Sequence, residues 1–578
     1  LEQCKRTRDE LPPRSTLSCG NLAHGYAACS DREKEMLHAA AANIGIINAY
    51  NDMLSAHQPL AEYPQQIKDF ALGFGATAQV ASGVPAMCDG VTQGQPGMQL
   101  SLFSRDVVAM ATAVGLSHNL FDAVICLGIC DKIVPGMLIG ALAFGHLPVA
   151  FIGSGPMASG VSNKEKAAVR QRHASGEATR AELLAVESAS YHSPGTCTFY
   201  GTANSNQVLM EMLGVQLPGS SFLHPQDPLR PELTRRTVRE VLQARPLYEV
   251  VTEASLVNAL VALLATGGST NHTLHLVAIA RAAGIDLTWQ DMDRLSTAVP
   301  LLARVYPNGT ADINDFEAAG GMAFLVNELL GAGLLNEDVV TLLGPGLEAQ
   351  RSAPQRDDGG EVQWSQPVDR STRHDVLRPA TDAFSQEGGL RCLAGNLGAS
   401  VIKVSAVEPQ HQRVTAPCAV FASQDELRAA FEAGELDRDV VAVVRFQGPR
   451  GNGMPELHKM TPYLAVLQDR GFSVALVTDG RMSGASGKVP AAIHLSPEAV
   501  DGGPIARLRD GDVIELDAAA GRLDVLVEEQ EWRARKPAAA PPGDATLGRG
   551  LFDLLRTNVG AATTGASVFD TGTAETSS

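Results

Sequence analysis

Apolar residues in this chain fall into short runs punctuated by Gly, Pro and Asp, with no long uninterrupted stripe. Residues 106–120 carry helical spacing, 122–129 form a β-branched apolar run, 135–144 return to helical spacing and 147–153 are again strand-like. That order predicts a βαβ unit, hence a parallel sheet with right-handed crossovers. Residues 256–266 and 272–283 read as helices on either side of Gly267-Gly268-Ser269-Thr270-Asn271, a turn suited to presenting N–H groups to an anion.

The pattern changes after a polar stretch at about 350–374. Beyond it, residues 440–445, 472–477, 512–517 and 523–527 are short β-branched runs separated by Gly- and Asp-bearing turns. The predicted fold class is α/β: an N-terminal parallel-sheet α/β domain (1–355), a linker (356–375) and a β-rich, barrel-like C-terminal domain (376–578). The Ala/Pro segment 536–542 and the tail after about 560 are expected to be flexible.

Composition narrows the class. The chain has 578 residues, enough for two or three cores, and a formal charge of −18. That charge argues against nucleic acid or an anionic membrane as partner, because phosphate surfaces need clustered Lys and Arg. No apolar run reaches the roughly 18 residues of a spanning helix. Nine cysteines without a regular framework fit a reducing compartment, and the expected location is cytoplasmic. The first residue is Leu1, so the true N-terminus is expected upstream.

The candidate chemistry starts at Cys130-Asp131-Lys132, just beyond the predicted strand 122–129. A thiolate prefers iron, copper or zinc, while a carboxylate prefers Mg²⁺ or Mn²⁺, and open α/β sheets bind ligands beyond the carboxyl ends of their strands. A lone strand-end Cys is more often plain core. A second pair, Cys88-Asp89, precedes a glycine-rich loop, and a third thiol, Cys197, lies in a turn of small residues. In the C-terminal half, two glycine-flanked loops carry Glu456 and Ser483. Ser483 sits in no Gly-x-Ser-x-Gly elbow, so a hydrolase triad is a poor reading.

Six ordered signatures then identify a resemblance over nearly the whole chain: Asn51-Asp-Met-Leu-Ser-Ala-His-Gln-Pro59, Ala86-Met-Cys-Asp-Gly-Val-Thr-Gln-Gly94, Cys130-Asp-Lys-Ile-Val-Pro-Gly136, Gly195-Thr-Cys-Thr-Phe-Tyr-Gly-Thr-Ala-Asn204, Gly453-Met-Pro-Glu-Leu-His-Lys459 and Asp479-Gly-Arg-Met-Ser-Gly484. The chain resembles the dihydroxy-acid dehydratase/6-phosphogluconate dehydratase family. The resemblance implies an iron–sulfur cluster acting as a Lewis acid, with Cys130 and Cys197 as shared ligands. Cys88 is the candidate third ligand, since Ala56 stands where many dihydroxy-acid dehydratases carry a Cys; this favours a 4Fe-4S over a 2Fe-2S cluster. It also implies an Mg²⁺ or Mn²⁺ site at Asp89, Asp131 and Glu456, with Lys132 a further position that is carbamylated in some relatives.

The implied reaction is loss of water from a 2,3-dihydroxy acid, with a phosphorylated sugar acid as substrate, Ser483 as the base and a homodimer as the assembly. Candidates for holding the substrate are Ser154, Arg445, Arg450, Lys488, Asn51 and His57, with Asp52, His272 and His458 beside the signatures as scaffold. Cys126, Cys392 and Cys418 are expected to be core. The alternatives are a sibling dehydratase of an unphosphorylated sugar acid or branched dihydroxy acid, and an iron–sulfur electron carrier or redox sensor. The absence of any C-x-x-C run ranks the last one low.

Overall fold

Aliphatic runs at β1 (Asn43–Asn48), β2 (Thr77–Gly83), β3 (Ala123–Leu127) and β4 (Val149–Ile152) form a sheet of order β2-β1-β3-β4 in which every pairing is parallel. The computed structural model describes residues 4–6, 14–174, 176–364, 366–458, 460–482, 487–542 and 549–569. Every residue of β3 and β4 is buried, which explains why both read as continuous apolar runs without alternation.

The expected helices around β3 are α1 (Ser101–Leu116) and α2 (Ile133–Leu142). They start earlier than their apolar spacing suggested, because Ser101, Arg105 and Asp106 are polar residues that lie buried in the first turns of α1. The two helices approach closely at Gly136 and Gly140, where an added Cβ would lie 2.4 Å from the Arg105 carbonyl oxygen and 2.5 Å from that of Ala109. Of three further helices, α3 (Thr202–Met212), α4 (Glu253–Ala265) and α5 (His272–Ala282), α3 packs on α4 and α5 packs on α2.

The C-terminal domain is a closed eight-stranded barrel. Its strands are β5 (Leu390–Gly395), β6 (Gly398–Lys403), β7 (Arg413–Phe421), β8 (Val440–Val444), β9 (Val474–Thr478), β10 (Ala491–Ser496), β11 (Val513–Asp517) and β12 (Arg522–Val525), in the order β6-β10-β9-β8-β7-β11-β12-β5. Strands β7 to β10 run parallel and the remainder pair mostly antiparallel. Along β8, Val441 and Val443 point into the barrel's own core, whereas Val440, Ala442 and Val444 pack outward into the large core shared with the helices. The period of two is intact, but both faces are apolar.

Four of these strands, β5, β6, β7 and β10, carry too little apolar character to be read from the chain. Pro417 interrupts β7 where the strand changes partner: it faces Val513 of β11, and parallel pairing to β8 begins at Cys418, so a residue without an N–H falls at the join. The polar segment between the domains is fastened to the N-terminal domain. Gln355–Arg356 and Val362–Gln363 pair as a small antiparallel ladder, and the Trp364 Nε1–H donates to the Pro218 carbonyl at 3.0 Å.

Residues 560–569, expected to be flexible, are held by the buried pair Arg105–Asp106. Arg105 donates to the carbonyls of Gly565 (2.9 Å) and Ala566 (2.7 Å), while Asp106 accepts from the Val568 N–H at 2.7 Å and the Ser567 hydroxyl at 3.1 Å. A buried ion pair whose partners lie 460 residues away along the chain is invisible to a pattern read along the sequence. Arg105→Leu, which strands Asp106 without its cation, is expected to cost about 3–5 kcal/mol in urea unfolding and to open the 560–569 segment to limited proteolysis. A variant as stable and protease-resistant as the parent would show that the pair is not what holds this segment.

Candidate metal and thiol centre

Parallel strands deliver their following loops to one edge, and here two sets of strand ends face each other. From the first sheet, the chain leaves β2 towards Cys88-Asp89, β3 towards Cys130-Asp131-Lys132 and β4 towards Ser154. From the barrel, it leaves β8 towards Glu456 and β9 towards Arg481, which meet in a short parallel bridge.

Cys130 adopts a left-handed backbone, φ 74°, that a residue with a Cβ adopts only at a cost of roughly 1–2 kcal/mol. Asn206 of α3 offsets that cost by donating to the carbonyls of both Cys130 (3.1 Å) and Asp131 (2.9 Å). The loop of Cys197 is pinned the same way: Asn204 donates to the carbonyls of Cys197 and Phe199, each at 2.8 Å. Its Gly195 N–H donates to the Ser55 carbonyl, and its Thr196 pairs with Gly155 and Met157. Gly195 has φ 127°, and a Cβ there would lie 2.3 Å from the Met157 nitrogen, so glycine is required for this approach.

The three thiols sense one another. Burial pushes the Cys130 thiol well above its ordinary range, with Cys88 and Cys197 adding to the rise. Burial likewise raises Cys197 to about 12, with Cys88 contributing, and raises Cys88. Without a cation the trio therefore stays protonated, and a thiophilic metal would displace those protons. All nine cysteines are free thiols. Cys126 is fully buried in β3, while Cys392 and Cys418 donate to the carbonyls of Trp289 and Arg509.

Beside the thiols lies the hard site. One ligand oxygen each from Asp89, Asp131 and Glu456 lie within 4.8 Å of one another. Lys132 donates to Asp89 and, at 3.4 Å, to Asp131; Arg481 reaches Asp89 at 2.8 Å and Glu456 at 3.4 Å. Burial alone would raise Asp89, but the Lys132 and Arg481 charges outweigh it and hold the carboxyl far below its usual range. Burial, aided by Asp89, lifts Glu456 to about 7 despite Arg481, and burial also raises Asp131.

Other expected site residues divide. Ser154 is buried and donates to the Ala56 carbonyl at 2.6 Å, joining the β4 end to the segment that holds Cys197. His57 is buried, donates through Nδ1 to the Ala49 carbonyl at 2.8 Å and has no partner at Nε2 among the described residues. Asn51 and Asp52 serve local turns, accepting from the Met53 N–H and the Tyr50 hydroxyl. His272 meets Ser205, and His458 folds back on the Glu456 carbonyl.

The cations expected near a phosphate are engaged elsewhere. Arg445 donates to the carbonyls of Ala506 and Leu508, Arg450 pairs with Asp501, and Lys488 pairs with Asp469. Among the described residues, none of the three shares a partner with the carboxylate cluster. Ser483 lies outside the described residues. Arg481, Asn204 and Asn206 carried no expected role, although Arg481 and Asn204 stood inside recognised signatures.

The model of the dihydroxy-acid/6-phosphogluconate dehydratase N-terminal domain matches residues 41–350, and that of the C-terminal domain matches residues 375–566. The chain is similar to the phosphogluconate dehydratase of Pseudomonas aeruginosa, at 61% identity over 98% of this chain and 95% of that one. It is 54% identical to the phosphogluconate dehydratase of Escherichia coli K12, over 98% and 96% of the two chains. The dihydroxy-acid dehydratase of Ignicoccus hospitalis is 35% identical, over 88% and 91%.

His57 supports a prediction on pH. Burial lowers its pKa to about 4, against the Ala49 hydrogen bond, which raises it. The unfolded chain then binds the extra proton first on acidification, so this contribution to stability is complete above about pH 6.5 and is lost as pH falls towards 4. In urea unfolding between pH 6.5 and 4.5, His57→Gln is expected to flatten the profile by up to about 1.4 kcal/mol per pH unit. Equal slopes in parent and variant would show that His57 is not neutral in the folded protein.

Proposed function

The chain belongs to the dihydroxy-acid/6-phosphogluconate dehydratase family and is a hydro-lyase; on that premise we propose that it converts 6-phosphogluconate to 2-dehydro-3-deoxy-6-phosphogluconate and water, the dehydration of the Entner–Doudoroff route. The observation that carries this reading is the meeting of three thiols with three carboxylates at facing strand ends. The full-length identity to phosphogluconate dehydratases selects the phosphorylated sugar acid among 2,3-dihydroxy acids.

The family uses an iron–sulfur cluster and a divalent metal, and the donor set fits both. Cys88, Cys130 and Cys197 are mutually close soft donors, and three ligands leave one iron of a 4Fe-4S cluster open. Asp89, Asp131 and Glu456 are hard donors of the kind Mg²⁺ or Mn²⁺ takes. When bound, the two groups supply Lewis acidity to the departing C3 hydroxyl and positive charge to the C1 carboxylate and C2 oxygen.

The chain's own residues do the rest. Asn204 and Asn206 fix two of the thiol-bearing loops by their carbonyls. Arg481 orients Asp89 and Glu456 from below, so the carboxylates keep their spacing. Carbamylation of Lys132 would turn a cation that competes with the metal into a further oxygen ligand. Ser483 takes the C2 proton as an alkoxide, which an unperturbed hydroxyl could not do; that role requires cationic charge nearby, which the divalent metal would supply when bound. A cytoplasmic homodimer completes the reading, its cytoplasmic part in keeping with nine free thiols.

Anaerobically loaded protein with Mg²⁺ is expected to form a 2-keto acid from 6-phosphogluconate, read as its semicarbazone, and to lose that activity with a chelator specific for the divalent ion. Ser483→Ala should lower kcat by at least about a hundredfold with the cluster's visible absorbance retained. Turnover of a branched or unphosphorylated dihydroxy acid in preference would overturn the substrate, and normal kcat in the Ser483 variant would remove it as base.

A further inference from the structure

Lys166 is 7% exposed, yet among the described residues it forms no ion pair with a carboxylate. A buried ammonium without an anionic partner is costly, and native proteins keep one where function uses it. It lies on the helix Asn163–Ala174, which packs against the helix Arg180–Ser190; the loop that follows runs on to Cys197. Its Nζ sits 4.7 Å from the centre of the Tyr191 ring and 3.4 Å from the Tyr191 hydroxyl. Lys166 and Cys197 are close enough for each to feel the other's charge.

Two features point to an anionic ligand. The Ser193 hydroxyl, two residues after Tyr191 in the loop that ends at Cys197, is buried and has no hydrogen-bond partner among the described residues. Arg170, one turn along the same helix, is locked to Glu187 by two bonds of 2.5 and 2.9 Å, so the carboxylate whose charge Lys166 feels is already paired with another cation. Tyr191 is 39% exposed, so the ammonium lies at an opening rather than in sealed core.

The position also suits the substrate. Its carboxylate end belongs with Asp89, Asp131 and Glu456, and its C3 with the thiols, so the phosphate falls three carbons beyond C3. Lys166 is a buried cation whose charge reaches Cys197, whereas Lys132 and Arg481 are occupied by the carboxylates.

We propose that Lys166, with the Tyr191 hydroxyl beside it and the Ser193 hydroxyl two residues farther along the chain, receives the substrate's phosphate and makes the site selective for a phosphorylated sugar acid. This rests on the 6-phosphogluconate reading above and replaces the cations that the sequence alone suggested. Lys166 is a binding residue for a group remote from the reacting carbons, so its loss falls on KM more than on kcat.

The test uses loaded enzyme with Mg²⁺, in parent, Lys166→Gln, Lys166→Arg and Ser193→Ala forms. Lys166→Gln is expected to raise KM for 6-phosphogluconate by about tenfold to a hundredfold, the size of one charged hydrogen bond. It should weaken inhibition by inorganic phosphate by a similar factor, while cluster absorbance stays at the parent level. Lys166→Arg should recover part of both, and Ser193→Ala should show a smaller loss of the same kind. Unchanged KM and phosphate inhibition in Lys166→Gln would overturn the proposal. Loss of cluster absorbance would overturn it too, assigning Lys166 to the thiols instead. A parent enzyme that binds phosphate through Lys166 but does not turn over 6-phosphogluconate would sink the functional reading and leave the subsite standing.

Discussion

Three carboxylates, two buried and one half-buried, cannot lie within 4.8 Å of one another unless positive charge is buried with them. In this protein the charge arrives from both domains. Lys132 follows β3 of the N-terminal sheet, Arg481 follows β9 of the barrel, and the two share Asp89. Glu456 comes from the barrel and both aspartates from the sheet, so neither domain contains the compensated cluster by itself. The apposition of two sets of strand ends, the shared core that β8 feeds with Val440, Ala442 and Val444, and the full burial of Arg481 all follow from meeting that one electrostatic condition.

The charge count also bears on Lys132. Formally, Asp89, Asp131 and Glu456 against Lys132 and Arg481 leave one net negative charge. A divalent cation added while Lys132 remains an ammonium turns that into one net positive charge in a buried site. The same cation accompanied by conversion of Lys132 to a carbamate leaves the net charge where it began. A modification that swaps one positive for one negative charge is what lets a dication enter without changing the burial cost of the whole, which gives the proposed carbamate a physical reason beyond supplying an oxygen.

The N-terminal sheet was legible because β3 and β4 are buried on both faces and therefore read as unbroken apolar runs between helical periods. The barrel was half legible for the same reason: β8 and β9 stand out, whereas β6 and β10 offer fewer apolar positions and β7 hides its change of partner behind Pro417. At the site, residue type carried the thiols and carboxylates, since Cys-Asp beyond a strand has few uses. Spacing could not reveal that Arg481 would be the counter-charge or that Asn206 would hold the Cys130 carbonyl, because those partners are set by which loops meet. Arg445, Arg450 and Lys488 show a further limit. A cation near a signature in sequence is usually claimed by the nearest carbonyl or carboxylate in space.

Two Cys-Asp dipeptides, Cys88-Asp89 and Cys130-Asp131, supply most of both donor sets, and each divides its side chains between them. Asp89 and Asp131 contribute to the oxygen cluster, while Cys88 and Cys130 interact with Cys197. Consecutive side chains diverge from a shared backbone, so the soft and hard centres are set about one residue apart and cannot drift independently. Cys130 takes a left-handed backbone and Cys88 an extended one, and the two Asn206 hydrogen bonds hold the Cys130-Asp131 backbone in place. Dehydration acts on neighbouring carbons, with the negative charge that builds at C2 and its carboxylate and the hydroxide leaving C3 only one bond apart. Two centres locked to one another through a single peptide link match that demand more tightly than two sites carried on separate loops would.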